Sequence, residues 1–267
     1  MFDRHSPISE NNAATPHHKL STSSLAKVFA YKDDRQLLVL DNINIHLNAN
    51  EFVCLVGASG CGKSTLLKIV AGLEHPSSGQ VSIEDEVVLG PGADRGMVFQ
   101  NYTLFPWRSV AENISFGLEL KGLSKPQRLK QVAYYLDVVG LTKFADAYPK
   151  QLSGGMKQRV AIARALANEP AVLLMDEPFG ALNAQTKEQM QQFMRELWAR
   201  TQITILMVTH DVEEAIFLSQ RIYVMGAHPG SIKAEISIDL PDFRELELKL
   251  APEFVQIKRQ IVHALGH

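Results

Sequence analysis

The sequence predicts an α/β fold: a parallel sheet with helices between its strands and a helical lobe inserted into it. Three observations predict this. Short β-rich runs recur along the chain, and they are apolar throughout rather than alternating, as in strands buried on both faces of a parallel sheet. Helical patterns follow several of these runs. Between about residues 101 and 168 the alternation stops and the sequence becomes mostly helical in character.

In chain order, residues 1 to about 24 are rich in Ser, Asn, Thr, His and Pro and are expected to be a disordered tail. The expected strands are Ile43–Leu47, Phe52–Val56, Val81–Ile83, Met97–Phe99, Val172–Met175, Ile203–Val208 and Ile222–Met225. The expected helices outside the lobe are Lys63–Ala71, Thr186–Arg200 and Asp211–Ser219. Within the lobe, Ser124-Lys125-Pro126-Gln127 has the form of a capping box with proline in the first turn, opening a helix to about Val139 that Gly140 stops. The main domain is expected over 25–250, with a terminal helix over 251–267. The roughly forty residues after Met225 are too few for a further domain without staples.

Composition narrows the function classes. A hydrophobic share of 46%, a charged share of 21% and a net charge of −2 describe an ordinary soluble domain with no broad field to attract nucleic acid. The two cysteines, Cys54 and Cys61, fall in an apolar run and a glycine-rich loop, which is neither a disulfide framework nor a zinc spacing. His17-His18 has no partner ligands nearby in the sequence. No apolar run approaches the roughly 18 residues that span a bilayer, and the N-terminus has no apolar signal core.

Gly57-Ala58-Ser59-Gly60-Cys61-Gly62-Lys63-Ser64 matches the phosphate-binding loop pattern, G-x-x-x-x-G-K-[ST], between a strand and a helix. The glycines let backbone N–H groups turn inward around phosphate oxygens, and the helix N-terminus, with Thr65 in its first turn, adds positive potential. Lys63 would reach the β- and γ-phosphates, and Ser64 would offer its hydroxyl to Mg²⁺. A second strand ends in Asp176-Glu177: the first carboxylate suits Mg²⁺, and the second can orient or deprotonate an attacking water. A third ends in Thr209-His210, placing an imidazole where a parallel sheet presents its ligands. Finally, Leu152-Ser153-Gly154-Gly155-Met156-Lys157-Gln158-Arg159 is a second anion-binding helix start. Lying in the lobe, it is badly placed to fold back on its own phosphate loop and well placed to close on the nucleotide of a second, head-to-tail copy.

In this order (GASGCGKS, Gln100 in MVFQN, LSGGMKQR, LLMDEP, then TH at 209–210) the motifs resemble the nucleotide-binding subunit of an ATP-binding cassette (ABC) transporter over about residues 25–230. The resemblance implies a P-loop NTPase cassette: a RecA-like parallel core with added antiparallel strands and the α-helical lobe. It implies ATP and Mg²⁺ as ligands. Tyr31 would stack on adenine, with Phe29 as the alternative. Gln100 would contact Mg²⁺ and the attacking water and sense the γ-phosphate. Glu177 would be the catalytic base and His210 the switch histidine, and Ser153, Gly154 and Gly155 would bind the partner's ATP. Two positions depart from the pattern: Met156 stands where Gln is commoner, and Asn183 where Asp is usual.

Three stretches resemble the nitrate/sulfonate/taurine import branch: GMVFQN with Leu104-Phe105-Pro106-Trp107, GALNAQ at 180–185, and VMGAHPG at 224–230. That resemblance implies a peripheral subunit on the cytoplasmic face of the inner membrane. Its partners would be a second copy of itself, a permease and, indirectly, an external solute-binding protein, with Phe105 and Trp107 in the permease groove. The alternatives are another import or export branch of the family, or a soluble ABC ATPase without a transport role.

Overall fold

The computed structural model describes residues 17–30 and 35–266. The elements in chain order are β1 (Leu20–Ala30), β2 (Gln36–Ile43), β3 (His46–Leu47), β4 (Phe52–Gly57), α1 (Lys63–Val70), β5 (Ser78–Ile83), β6 (Glu86–Val87) and β7 (Arg95–Val98). Then come α2 (Val110–Leu120), α3 (Lys125–Val138), α4 (Gly154–Leu166), β8 (Val172–Asp176), α5 (Ala184–Thr201), β9 (Thr204–Thr209), α6 (Val212–Leu218), β10 (Arg221–Gly226), β11 (Ser231–Ser237) and α7 (Pro252–Leu265).

The main sheet has the order β11-β10-β4-β9-β8-β7, all parallel except β11. Its apolar runs are explained by burial on both faces. Phe52, Cys54, Val56, Met175, Met207 and Val224 point into one core, which they share with the lobe and α4 to α7. The alternate residues Val53, Leu55, Leu174, Leu206 and Tyr223 point into a second core under α1 and the antiparallel strands. That smaller sheet runs β2-β1-β5-β6, with β3 also paired to β1. In the lobe, α2 packs on α3 and α4. Ser109 caps α2 through a reciprocal box with Glu112 (2.7 and 3.2 Å).

The expected tail is too long at its C-terminal end. Leu20 and Thr22 are buried in β1, which pairs with β3 and β5, so residues 20–24 belong to the fold. The polar composition that suggested disorder reflects exposed positions of an antiparallel strand, with Ser23 and Ser24 at an irregularity in its pairing with β5. Residues 1–16 of that expected tail lie outside the described residues.

The chain beyond β11 is tied back by two buried arginines. Arg244 Nη1 donates to the carbonyls of Ile216 (2.7 Å), Phe217 (3.1 Å) and Ser219 (2.8 Å), while Arg195 donates through Nη1 to Leu218 O (2.9 Å) and through Nη2 to Asp242 O. Cations at the C-terminal end of α6 complement its dipole and satisfy its last carbonyls. Burial, and then the charge of Arg195, pull the Arg244 pKa down to about 10.

A polar node joins the two sheets. Arg221 bridges Glu51 (2.7 Å) and Glu235 (2.7 Å) and donates to His46 Nε2 (2.9 Å), while His46 N donates to Tyr223 Oη (3.2 Å). Burial, followed by the charges of Arg221 and His18, lowers the His46 pKa below 6.5. The folded state thus resists a proton that the unfolded chain accepts, and His46 withdraws stability as pH falls through 6.5. Chemical denaturation at pH 7.5 and 5.5 should therefore show a larger loss for the wild type than for His46→Asn. Equal losses in the two proteins would remove His46 as a source of the dependence.

Candidate functional site

The loop after β4 is built by steric exclusion. A Cβ on Gly57 would lie 2.8 Å from both Cys61 Sγ and the Met225 carbonyl, and Gly62 takes φ +104° as the cap of α1. Ala58, Ser59 and Gly60 stand exposed along the loop, Cys61 is buried beneath it, and Ser64 and Thr65 are half-buried in the first turn of α1. Lys63 is only 4% exposed, and its Nζ donates to the carbonyls of Gly57 (2.8 Å) and Ala58 (3.0 Å). The ammonium is thus held folded over the mouth of the loop, beside a turn of backbone amides and a helix N-terminus.

The parallel register brings the other groups to the same edge. Val56 lies opposite Thr209, Asp176 opposite Val208, and Gly57 opposite Met225. Ser64 Oγ donates to Asp176 Oδ1 (2.8 Å), joining α1 to the end of β8. Asp176 is buried, and burial raises its pKa against the Ser64 hydrogen bond, with the neighbouring Glu177 charge adding to the rise. Glu177 sits at φ +42°, an uncommon conformation for a non-glycine residue. Its amide donates to Val208 O (3.0 Å), and its Oε2 lies 3.0 Å from Nδ1 of the exposed His210. A carboxylate aimed from a strained turn and paired with an imidazole can accept a proton and keep its orientation.

Gln100 follows β7 and is exposed. A Cβ on Gly180 would lie 3.6 Å from Gln100 Nε2 and 3.9 Å from Glu177 Oε2, so the amide and the carboxylate flank one glycine. Ser153 is exposed and caps α4, its Oγ accepting from Met156 N (3.3 Å). Gly154 and Gly155 are packed from behind. Methyl groups there would meet Leu182 Cδ2 at 3.2 Å and Thr186 Cγ2 at 3.0 Å. Asn183 caps α5, its Oδ1 accepting from Thr186 N (2.9 Å). Tyr31 lies outside the described residues; the alternative Phe29 is in β1, with Lys27 Nζ 4.8 Å above its ring.

The structure brings Lys63, Ser64, Asp176, Glu177 and His210 to one edge and sets Ser153, Gly154 and Gly155 in the lobe at the start of α4. Sequence reasoning missed the ion-pair cluster of Lys187, Asp211 and Glu214 beside His210. The one available signal was the Asp after His210, read only as a helix start.

The ABC transporter family profile matches residues 40–180. The nitrate import ATP-binding protein NrtD of Synechocystis sp. is 54% identical, over 91% of this chain and 93% of its own length. The chain belongs to the ABC transporter family. The taurine import ATP-binding protein TauB of Roseobacter denitrificans is 44% identical over 92% of this chain and 93% of its own. Among solved structures, the dimeric post-hydrolysis state of the cassette MJ0796 bound to ADP and Pi is 33% identical with a TM-score of 0.71, covering 83% of this chain and all of that one. The two sheets and the lobe are therefore those of an ABC cassette, and the protein is an ATP-binding ABC-type ATPase.

The Asn183 departure has a local consequence. Asn and Asp cap helices about equally well, so Asn183→Asp should change thermal stability by only a few tenths of a kcal/mol, while Asn183→Ala should cost about 1 kcal/mol. An ATPase rate changed more than about tenfold in Asn183→Asp would show that the charge at this position does more than cap a helix.

Proposed function

We propose that this chain is the ATP-hydrolysing subunit of a membrane importer of a small anion, of the nitrate, sulfonate or taurine kind. The observation that supports this most strongly is the near full-length identity with import subunits, 54% to NrtD and 44% to TauB. No helix among the described residues is long and apolar enough to cross a membrane, so the permease would be a separate chain met from the cytoplasmic face of the inner membrane. The solute would be captured outside by a binding protein.

The chemistry is assigned to this chain's own residues. The loop Gly57–Thr65 cradles the phosphates of ATP, with Lys63 exchanging its two carbonyl partners for β- and γ-phosphate oxygens. Tyr31 stacks on the adenine. Glu177 accepts the proton of the attacking water. His210 holds the γ-phosphate and, through Nδ1, keeps Glu177 aimed. Ser64, Asp176 and Gln100 are hard oxygen donors, two of them already joined, and would hold Mg²⁺. When bound, the ion neutralises charge on the β- and γ-phosphoryl oxygens. Ser153, Gly154 and Gly155 complete the site of a second, head-to-tail copy, so that ATP closes the dimer and hydrolysis opens it.

Phe105 and Trp107 would form part of the groove that receives a permease helix. Phe105 packs on Phe116 (centroids 4.7 Å) and Trp107 (5.7 Å), with the Arg164 guanidinium 5.5 Å from its ring. A cavity of about 450 Å³ opens beside them, and Trp107 remains 72% exposed. An exposed Trp packed on a Phe whose ring carries Arg108 and Arg164 has the composition of an interface anchor rather than of a core.

Lys63→Ala should weaken ATP binding by at least about 2 kcal/mol, roughly thirtyfold, read by a fluorescent nucleotide titration. Glu177→Gln should keep ATP binding, lose on the order of 10²-fold or more in turnover, and elute as a stable dimer with ATP. Turnover at the wild-type rate in that variant would remove Glu177 as the base. Gentle extraction of the tagged chain should bring down a polytopic permease; recovery with ribosomes or DNA-bound factors instead would sink the importer assignment.

A further inference from the structure

The residues that face the chain's own ATP and those assigned to the partner's ATP are connected behind the site by the first turn of α5. On one side, Gly154 and Gly155 lie against Leu182 and Thr186, close enough that methyl groups there would sit 3.2 and 3.0 Å from those side chains. On the other, Lys187 Nζ lies 2.5 Å from Asp211 Oδ2 and 3.4 Å from Glu214 Oε2. Asp211 follows His210 directly and caps α6. Its Oδ1 accepts from Glu214 N (3.1 Å), and its own amide donates to Thr209 Oγ1 (3.0 Å). The turn that carries Lys187 is itself fixed, because Lys187 N donates to Asn183 O (2.9 Å) and Asn183 Oδ1 accepts from Thr186 N.

This pairing is built in, not incidental. Glu214 is 2% exposed, and burial raises its pKa in spite of the opposing Lys187 charge. Burial disfavours the Lys187 ammonium as well, but hydrogen bonding to Asp211 and the charges of Glu214 and Asp211 outweigh it and raise its pKa. The lysine therefore stays charged and anchored. His210 has its side chain 58% exposed, and its one described side-chain partner is Glu177. Its backbone needs an anchor for the imidazole to hold a fixed position, and Lys187–Asp211 supplies one from the same short segment that backs the Ser153 turn.

We propose that Lys187 is a positioning residue for ATP hydrolysis: through Asp211 it fixes the His210 turn to the first turn of α5, and so couples the His210 edge to the Ser153–Gly155 turn that faces the second copy. The inference rests on the assignment of His210 and Ser153–Gly155 made above. It goes beyond that assignment in giving a residue outside the nucleotide motifs a part in turnover. A Lys→Met change removes the charge at nearly constant length, so a shift of the His210 turn should appear in kcat. ATP affinity, set mainly by the phosphate loop, should change little.

The test uses the full-length chain, with steady-state ATPase rates over a range of ATP. Lys187→Met and Asp211→Asn, the latter keeping a helix cap, should each lower kcat on the order of tenfold with KM for ATP within about twofold. The double variant should be no worse than either single one, since both remove the same link. Lys187→Arg should recover most of the rate. Glu214→Gln separates positioning from simple charge balance: if Lys187 merely neutralised the buried Glu214, adding Glu214→Gln to Lys187→Met would restore kcat, and that result would overturn the proposal. Wild-type kcat in Lys187→Met would overturn it too. His210→Ala is the control: if it turns over normally, the assignment of the site fails; if it is inactive while Lys187→Met is normal, only the present inference fails.

Discussion

Four neighbouring parallel strands end at nearly the same height, and the chemistry of the molecule depends on that register. Gly57, Asp176, Thr209 and Met225 close β4, β8, β9 and β10 or stand one residue from their ends, through pairs such as Val56 with Thr209 and Asp176 with Val208. Three of them then release a different group at the edge: β4 a phosphate-binding loop, β8 a carboxylate pair, β9 an imidazole. A slip of one residue in any strand would turn its side chains to the opposite core, so the two apolar cores that hold the register also hold the site. The Ser64–Asp176 hydrogen bond and the Glu177–His210 contact are consequences of this alignment.

Much of this was legible in the sequence because the groups that act together are contiguous with strong structural punctuation. A strand, a glycine loop and a helix start are read together at 52–65, and a strand closing in two acids at 172–177. The apolar runs identified the central strands because burial on both faces leaves no alternation to confuse. The antiparallel strands were harder. β1 alternates buried Leu20 and Thr22 with polar neighbours and begins in a stretch rich in Ser and Thr, so composition outweighed periodicity. α2 was not separately resolved in the lobe, although Ser109 and Glu112 have capping-box spacing.

What the sequence could not show was contact between distant positions. Lys187 reads as one more charge on an amphipathic helix, and only the fold places it against Asp211, 24 residues away. Arg244 is likewise an unremarkable tail residue until it is seen closing the carbonyl end of α6. Asn183 moved the other way: it looked like a loss of charge, and the structure gives it a local task as the cap of α5. These long-range polar contacts join segments that hydrophobic pattern alone leaves independent.

The ATP site proposed for this chain is composite, with the phosphate loop of one copy closed by the Ser153–Gly155 turn of another. The most direct measurement is ATPase activity on mixing two inactive variants, Lys63→Ala and Ser153→Arg. Each homodimer contains two broken composite sites, whereas a mixed dimer contains one intact site, the Ser153→Arg chain's phosphate loop facing the Lys63→Ala chain's Ser153 turn. A composite site should give no turnover from either variant alone and recovered turnover in the mixture, rising with the fraction of mixed dimer. Mixed dimers that form but stay inactive would contradict a shared site, as would full activity of Ser153→Arg by itself.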